Sequence, residues 1–454
     1  MSDPSLTVIG GGLAGCEATW QAAKRDVPVR LFEMRPTVRT PAHQTDRLAE
    51  LVCSNSLKSE SHEDASGLLK LEMQAFGSLT LASAQAHRVP AGSALAVDRE
   101  AFASAVTRAI VSHPRIELVR EEVSALPKDR PVIVASGPLT SDRLSLDLRQ
   151  HFSTFLSPHA APPASGQLLY FYDAISPIVS ADSINREVVF AAARYGVGGA
   201  DYLNCPLTRE EYQRFREALL AGDRYPLHDF ERPKYFEGCL PIEEMAERGE
   251  NTLRFGPMRP VGLRDPRTGT RPFAVVQLRQ ENRDPDGKPT MYNLVGFQTR
   301  LRRGDQVKVL HMVPGLERAE ILRYGSIHRN TFITAPLLLD RTLQFRGETG
   351  VFFAGQLTGV EGYLESAATG LLAGINAVRL LGGQPLVCPP PTTMLGGLLH
   401  YLITATPTNF QPINANFGLL PPLTQPVRDR QERNRLFVTR AQADFWAWQG
   451  TVLE

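Results

Sequence analysis

The sequence predicts an α/β protein: a Rossmann-like nucleotide domain assembled from both ends of the chain, with a smaller α+β domain inserted between them. Three glycine turns carry that prediction. One opens the chain inside a strand–turn–helix–strand unit, one follows an apolar run within residues 131–142, and one follows another within residues 350–377. A single domain that holds turns from both ends of a 454-residue chain leaves the middle as an insertion.

The opening stretch reads LTVIGGGLAGCEATWQAAKRDVPVRLFEMRP. A short β-branched run leads into G-x-G-x-x-G at Gly10, Gly12 and Gly15, with Gly11, Leu13 and Ala14 between them, and an amphipathic helix and a second strand follow. In such a unit the first glycine permits the tight turn and the second lets backbone approach a pyrophosphate. The third allows the helix to pack closely on the strand. Glu33 ends the second strand, where a carboxylate can accept hydrogen bonds from ribose hydroxyls. The later turns favour FAD over NAD. PVIVASGPLTSD is a buried strand running into Gly137, and GVFFAGQLTGVEGYLESAATG is a strand, the pair Gly355-Gln356, and a glycine-bearing helix whose N-terminus can face the anionic part of a flavin. Together they predict an FAD-binding domain of the glutathione-reductase type.

HAAPPASG (159–166) reads as a domain crossing and MVPGLE (312–317) as the return, giving residues 1–163 and 313–454 to the FAD domain and 164–312 to the insertion. The net charge of +1 gives no bulk acidic or basic signature. Five cysteines without a CxxC pair predict neither a disulfide framework nor a metal site, and with no signal peptide they point to a reducing cytoplasm. MLGGLLHYLITA, from Met394, is too short to span a bilayer and reads as a core helix. From Arg254 to Lys308 the chain carries ten Arg and two Lys against five acids, interleaved with apolar strand residues. That pattern suits RNA phosphates, with Arg254, Arg259 and Arg271 as candidates; folate carboxylates or a merely solvated face would ask for the same charges.

Two cysteines sit at chain breaks. Cys239 precedes Pro241 at what reads as the start of a short helix, with Glu243 and Glu244 in its first turn, and Cys53 precedes a Ser-Asn-Ser turn. A buried hydrophobe is the other reading of Cys239.

The motifs VIGGGLAGCEA, FEMRP, TPAH, ELVCSNSL, SGPLTS, YLNCP, FEGCLPIEEMAERG, FGPMRPVGL, RYGSIHRNTF, AGQLTGVEGYLESA and NFQPINANFGLL run in order through nearly the whole chain. In these the sequence resembles the folate- and flavin-dependent tRNA (uracil-5-)-methyltransferases, the TrmFO family, related to MnmG/GidA. Gly11 and Cys16 stand where the family more often has Ala and Ser, and neither change removes a motif glycine. The resemblance implies reactive cysteines at Cys53 and Cys239, with Cys205 structural. It also implies a one-carbon unit drawn from methylenetetrahydrofolate, passed through reduced FAD and placed on C5 of a tRNA uridine (U54 of the T-loop), with NADH or NADPH as reductant. It implies no membrane and no obligatory protein partner. The related wobble-uridine enzyme is the nearest alternative, but this chain is too short for that protein's helical C-terminal part. A flavin disulfide reductase or a small-molecule NAD(P)H oxidoreductase would need a redox cysteine pair, and a non-catalytic FAD-dependent RNA-binding protein is separated by assay.

Overall fold

In a computed structural model, residues 5–156, 168–194, 201–225, 240–425 (apart from 283, 285 and 287) and 427–453 are described. Strand β1 (Leu6–Ile9), helix α1 (Leu13–Ala23) and strand β2 (Val29–Phe32) form the expected opening unit, with Glu33 one residue beyond β2. The two strands lie in a five-stranded parallel sheet in the order Val351–Phe353, Val132–Val134, β1, β2, Ile116–Val119. The edge strand comes from the C-terminal half, so both ends of the chain do build this sheet. β1, Val132–Val134 and Val351–Phe353 are fully buried, as parallel strands covered on both faces require, whereas β2 exposes Arg30.

Helix α1 lies against the helix Tyr363–Leu381 with their backbones almost touching. A Cβ on Gly370 would fall 2.1 Å from the Ala14 carbonyl oxygen, and one on Gly374 would fall 2.6 Å from that of Ala18. Small residues four apart on both helices permit this approach. It brings the start of the later helix beside the first glycine turn.

The second layer is a six-stranded antiparallel sheet in the order Phe190–Ala191, Tyr202–Leu207, Ala274–Gln280, Met291–Leu294, Ile178–Ser180, Ile321–Arg323. The helices Arg209–Ala221 and Arg303–Leu310 supply Phe215, Leu219 and Val309 to the core beneath it. There are thus two main cores. One draws on Leu6 to Phe152 and Phe332 to Val452, the other on Val179 to Ala319. An antiparallel ribbon joins them, Leu168–Ile175 paired with Ser326–Ile333. The expected crossing at 159–166 lies outside the described residues. Val313 and Leu316, in the expected return, are buried in the second core, so the chain crosses back only at the ribbon.

Met394–Thr404 is a buried helix, as its composition predicts. Among the described residues no helix is long and apolar enough to cross a membrane.

Candidate active site

A cleft opens at the carboxyl ends of the parallel strands, the place where open α/β sheets bind ligands. Gly10, Gly11, Gly12, Leu13, Ala14, Glu33, Gly137, Gly355 and Gln356 all line it, so turns distant in sequence meet on one wall. Gly15 stands off that wall. A Cβ there would lie 1.8 Å from the Gly10 carbonyl oxygen, so its role is the close seating of α1 on β1. Gly10 has φ +107°, and a Cβ on it would meet the Ala135 carbonyl oxygen at 2.4 Å. Gly12, the N-cap of α1, differs: no side chain caps the helix there, and a Cβ would meet nothing within 4 Å.

Glu33 is buried and already well bonded. Its Oε2 accepts from the Gly11 amide at 3.0 Å and from Arg35 Nη2 at 3.2 Å, while Oε1 accepts from the Arg35 backbone amide and Nε, both at 2.9 Å. Burial pushes this carboxyl up, but the hydrogen bonds and charge of Arg35, with the Gly11 amide, outweigh it and hold the pKa below the ordinary value. Two hydrogen bonds to each oxygen thus occupy the four lone-pair sites of the carboxylate. His43 also lines the cleft, its Nδ1 2.6 Å from Thr40 Oγ1. Burial and the Arg35 charge push its pKa down to about 4, so the ring is neutral at neutral pH.

The loop that carries Cys53 joins the cleft wall through Val52. The half-buried Cys53 and its neighbour Ser54 donate their backbone amides to the Tyr363 hydroxyl, at 2.8 and 3.2 Å. Tyr363 is itself a cleft residue, at the start of the helix that packs on α1. Across the domain boundary, Arg279 Nε donates to Asn55 Oδ1 and Nη2 to Ser54 Oγ, both at 2.8 Å. Arg99 pairs with Glu281 at 2.5 Å and donates to the Leu51 carbonyl at 2.7 Å.

The other cysteines contrast with this one. Burial pushes the thiols of Cys16 and Cys205 far above the ordinary range and that of Cys388 up to about 11. Cys205 sits in the second core, paired with Val276, a structural position. Cys239 lies outside the described residues. The helix after it runs Ile242–Glu247, with Glu243 and Glu244 in its first turn and Pro241 as the N-cap rather than the first helical residue.

The basic segment divides. Arg259 and Arg271 are exposed. Arg254 is half-buried, its Nε donating to the Phe273 carbonyl at 3.0 Å and its guanidinium 4.5 Å from the Phe273 ring centroid. Phe255, beside it, is 74% exposed. Other charges in the segment are taken up internally: Arg267 by Asp265 at 2.7 Å, Arg300 by Glu244 at 2.5 Å and Lys308 by Asp305 at 2.8 Å. Arg279 is buried and belongs with the thiol loop. Sequence reasoning missed Tyr363, Arg35, Arg99 and Arg279. For Arg279 a signal existed, since an arginine interrupts a strand that is otherwise apolar or amide throughout, AVVQLRQ.

The family model described as glucose inhibited division protein A matches residues 5–385. A Geobacter sulfurreducens protein named methylenetetrahydrofolate–tRNA-(uracil-5-)-methyltransferase TrmFO is 56% identical over 449 residues, 99% of each chain. A protein of the same name from Moorella thermoacetica is 54% identical over 450 residues, again 99% of each chain. Among solved structures, Aquifex aeolicus GidA in its form II crystal superimposes with a TM-score of 0.65 at 16% identity, over 98% of this chain and 73% of that one, which supports the fold alone. The chain belongs to the TrmFO family, within the wider glucose-inhibited division protein A family.

Proposed function

We propose that this protein transfers a one-carbon unit from methylenetetrahydrofolate to C5 of a uridine in tRNA, with FAD seated in the cleft and NADH or NADPH as the reductant. One observation carries the reading: the Cys53 loop and the nucleotide glycines share a wall, joined through Val52 and Tyr363. The cleft fits FAD. Gly12 leaves open space at an uncapped helix N-terminus for a pyrophosphate. Gly10, Gly11, Leu13, Ala14, Gly137, Gly355 and Gln356 line the same cleft, and Glu33 beside them is the partner for a ribose. When bound, the flavin supplies the reducing power and the one-carbon relay.

The chain's own residues prepare the uracil. C5 of uracil is a poor nucleophile. A thiolate from Cys53 or Cys239 adds to C6, moving an electron pair onto the C5–C4–O4 system so that C5 can bond to the carbon donor. The thiolate of the other cysteine removes the C5 proton, the bond between the transferred carbon and its donor breaks, a hydride equivalent drawn from the reductant completes the methyl group, and loss of the C6–S bond restores the C5–C6 double bond and frees the first thiolate. Arg254, Arg259 and Arg271 on the inserted domain contact tRNA phosphates, and by family likeness the target is U54 of the T-loop. The protein works in the cytoplasm. Nucleoside analysis of tRNA incubated with the FAD-loaded protein, methylenetetrahydrofolate and NAD(P)H tests the reading. 5-Methyluridine dependent on all three supports it, and its absence from undermodified tRNA overturns it.

A further inference from the structure

The end of strand Ala274–Gln280 and the residue after it grip the thiol loop on both sides of Cys53. Arg279 holds Ser54 and Asn55. The Gln280 carbonyl accepts from the Asn55 side-chain amide at 2.9 Å, a group that also donates to the Val97 carbonyl at 2.9 Å. Glu281 fixes Arg99, which holds the Leu51 carbonyl. These groups are deeply buried, Arg279 at 8% exposure, Asn55 at 0% and Glu281 at 1%. A strap between domains needs no charge, and burying a guanidinium is costly where neutral groups would serve. Arg279 bonds Ser54, the residue next to Cys53, and Arg99 bonds Leu51, two residues before it, so both guanidinium groups are anchored within two residues of the thiol, and a cation beside a thiol favours its reactive, ionised form.

We infer that Arg279 is the positioning residue for the Cys53 thiol: reaching from the inserted domain, it fixes the Ser54–Asn55 side of the loop and keeps a cation beside the sulfur. This rests on Cys53 being one of the two reacting thiols. The test is the pH dependence of Cys53 alkylation by iodoacetamide in FAD-loaded protein, read by peptide mass spectrometry, alongside methyl transfer. Arg279→Met should move the half-alkylation point up by about one pH unit while flavin content and the thermal melt stay close to wild type. Arg279→Lys keeps the charge and loses the fork, so its midpoint should stay near wild type while methyl transfer falls. A purely structural strap would lower the melt and activity in both variants without moving the midpoint, and that result overturns the inference. Should Arg279→Met fail to fold, Ser54→Ala keeps the cation and removes one bond. It should change the limiting alkylation rate at high pH, and an unchanged rate refutes the positioning role. If Cys53→Ala retains methyl transfer, the proposed chemistry falls separately, because alkylation is read without turnover.

Discussion

Gly12 and Gly15 lie three residues apart in one motif, yet the structure gives their substitutions opposite outcomes. At Gly12 the backbone is extended, with φ −77° and ψ −172°, a region valine adopts easily, and a Cβ meets nothing within 4 Å. Gly12→Val should therefore cost the FAD-free protein less than about 1 kcal/mol, mostly through the changed N-cap. The same side chain projects into the open space proposed above for the pyrophosphate. Losing one charge-assisted amide–phosphate bond is worth about 1.5–3 kcal/mol, which raises the FAD dissociation constant roughly 10- to 100-fold. At Gly15 a Cβ sits 1.8 Å from a backbone oxygen that cannot swing away. Gly15→Ala must lift α1 from β1, an overpacking cost of about 1–3 kcal/mol, or a melting temperature lower by roughly 1–5 °C for a chain of this size. The assays are the ratio of flavin to protein absorbance on purification, FAD titration of stripped protein, and the thermal melt of the stripped form. Wild-type FAD affinity in Gly12→Val means the phosphate lies elsewhere. An unchanged melt in Gly15→Ala refutes the packing argument.

Cys53→Ala and Cys239→Ala should each reduce methyl transfer to background with FAD retained, whereas Cys205→Ala should keep activity and cost about 1 kcal/mol in the melt; full activity in Cys239→Ala would return that residue to the buried-hydrophobe reading. Removing charge at Arg254, Arg259 and Arg271 together should weaken tRNA binding and flatten the slope of log K against log salt by about 2, with little effect on flavin reduction by NAD(P)H; an unchanged slope would assign the cluster to folate carboxylates or solubility. Glu72, at 2% exposure, caps the helix Met394–Thr404 by accepting from the Met394 and Leu395 amides at 2.6 and 2.8 Å. Burial raises its pKa to about 7. A raised folded-state pKa gives stability that is fully present below the unfolded value and is lost as pH rises through about 7, a loss on the order of 3 kcal/mol. Glu72→Gln should flatten that part of the stability–pH curve, and an unaltered curve in chemical denaturation would refute the assignment.

The parts of this protein that could be read from sequence are those whose physics is local. The turn at Gly10–Gly15 announces itself because strand, turn and helix lie within a few residues, and each glycine answers a steric demand made by near neighbours. The edge strand Val351–Phe353 is readable as a strand from its apolar run, but its pairing with Val132–Val134 is a long-range contact that the sequence pattern does not specify. The environment of Cys53 has no such local cause. Its amide partner Tyr363 is 310 residues away, and the Arg279–Asn55 bond spans 224. No periodicity encodes contacts of that separation. The basic segment shows the same limit from the other side. A charge count treats Arg279 like Arg271, but one is buried against the thiol loop and the other faces solvent.

That difference bears on how the two domains work together. A surface arginine can be lost with only a fractional change in RNA binding. Arg279 bonds the Cys53 loop from a strand of the inserted domain, so a displacement of that domain reaches the thiol through buried, hydrogen-bonded groups. If tRNA is held by the inserted domain, its grip and the readiness of Cys53 are linked by one strand end. The linkage makes a separable expectation. In Arg279→Lys, tRNA affinity should stay within about twofold of wild type while methyl transfer per bound tRNA drops. A parallel loss of both would place Arg279 in the RNA surface instead.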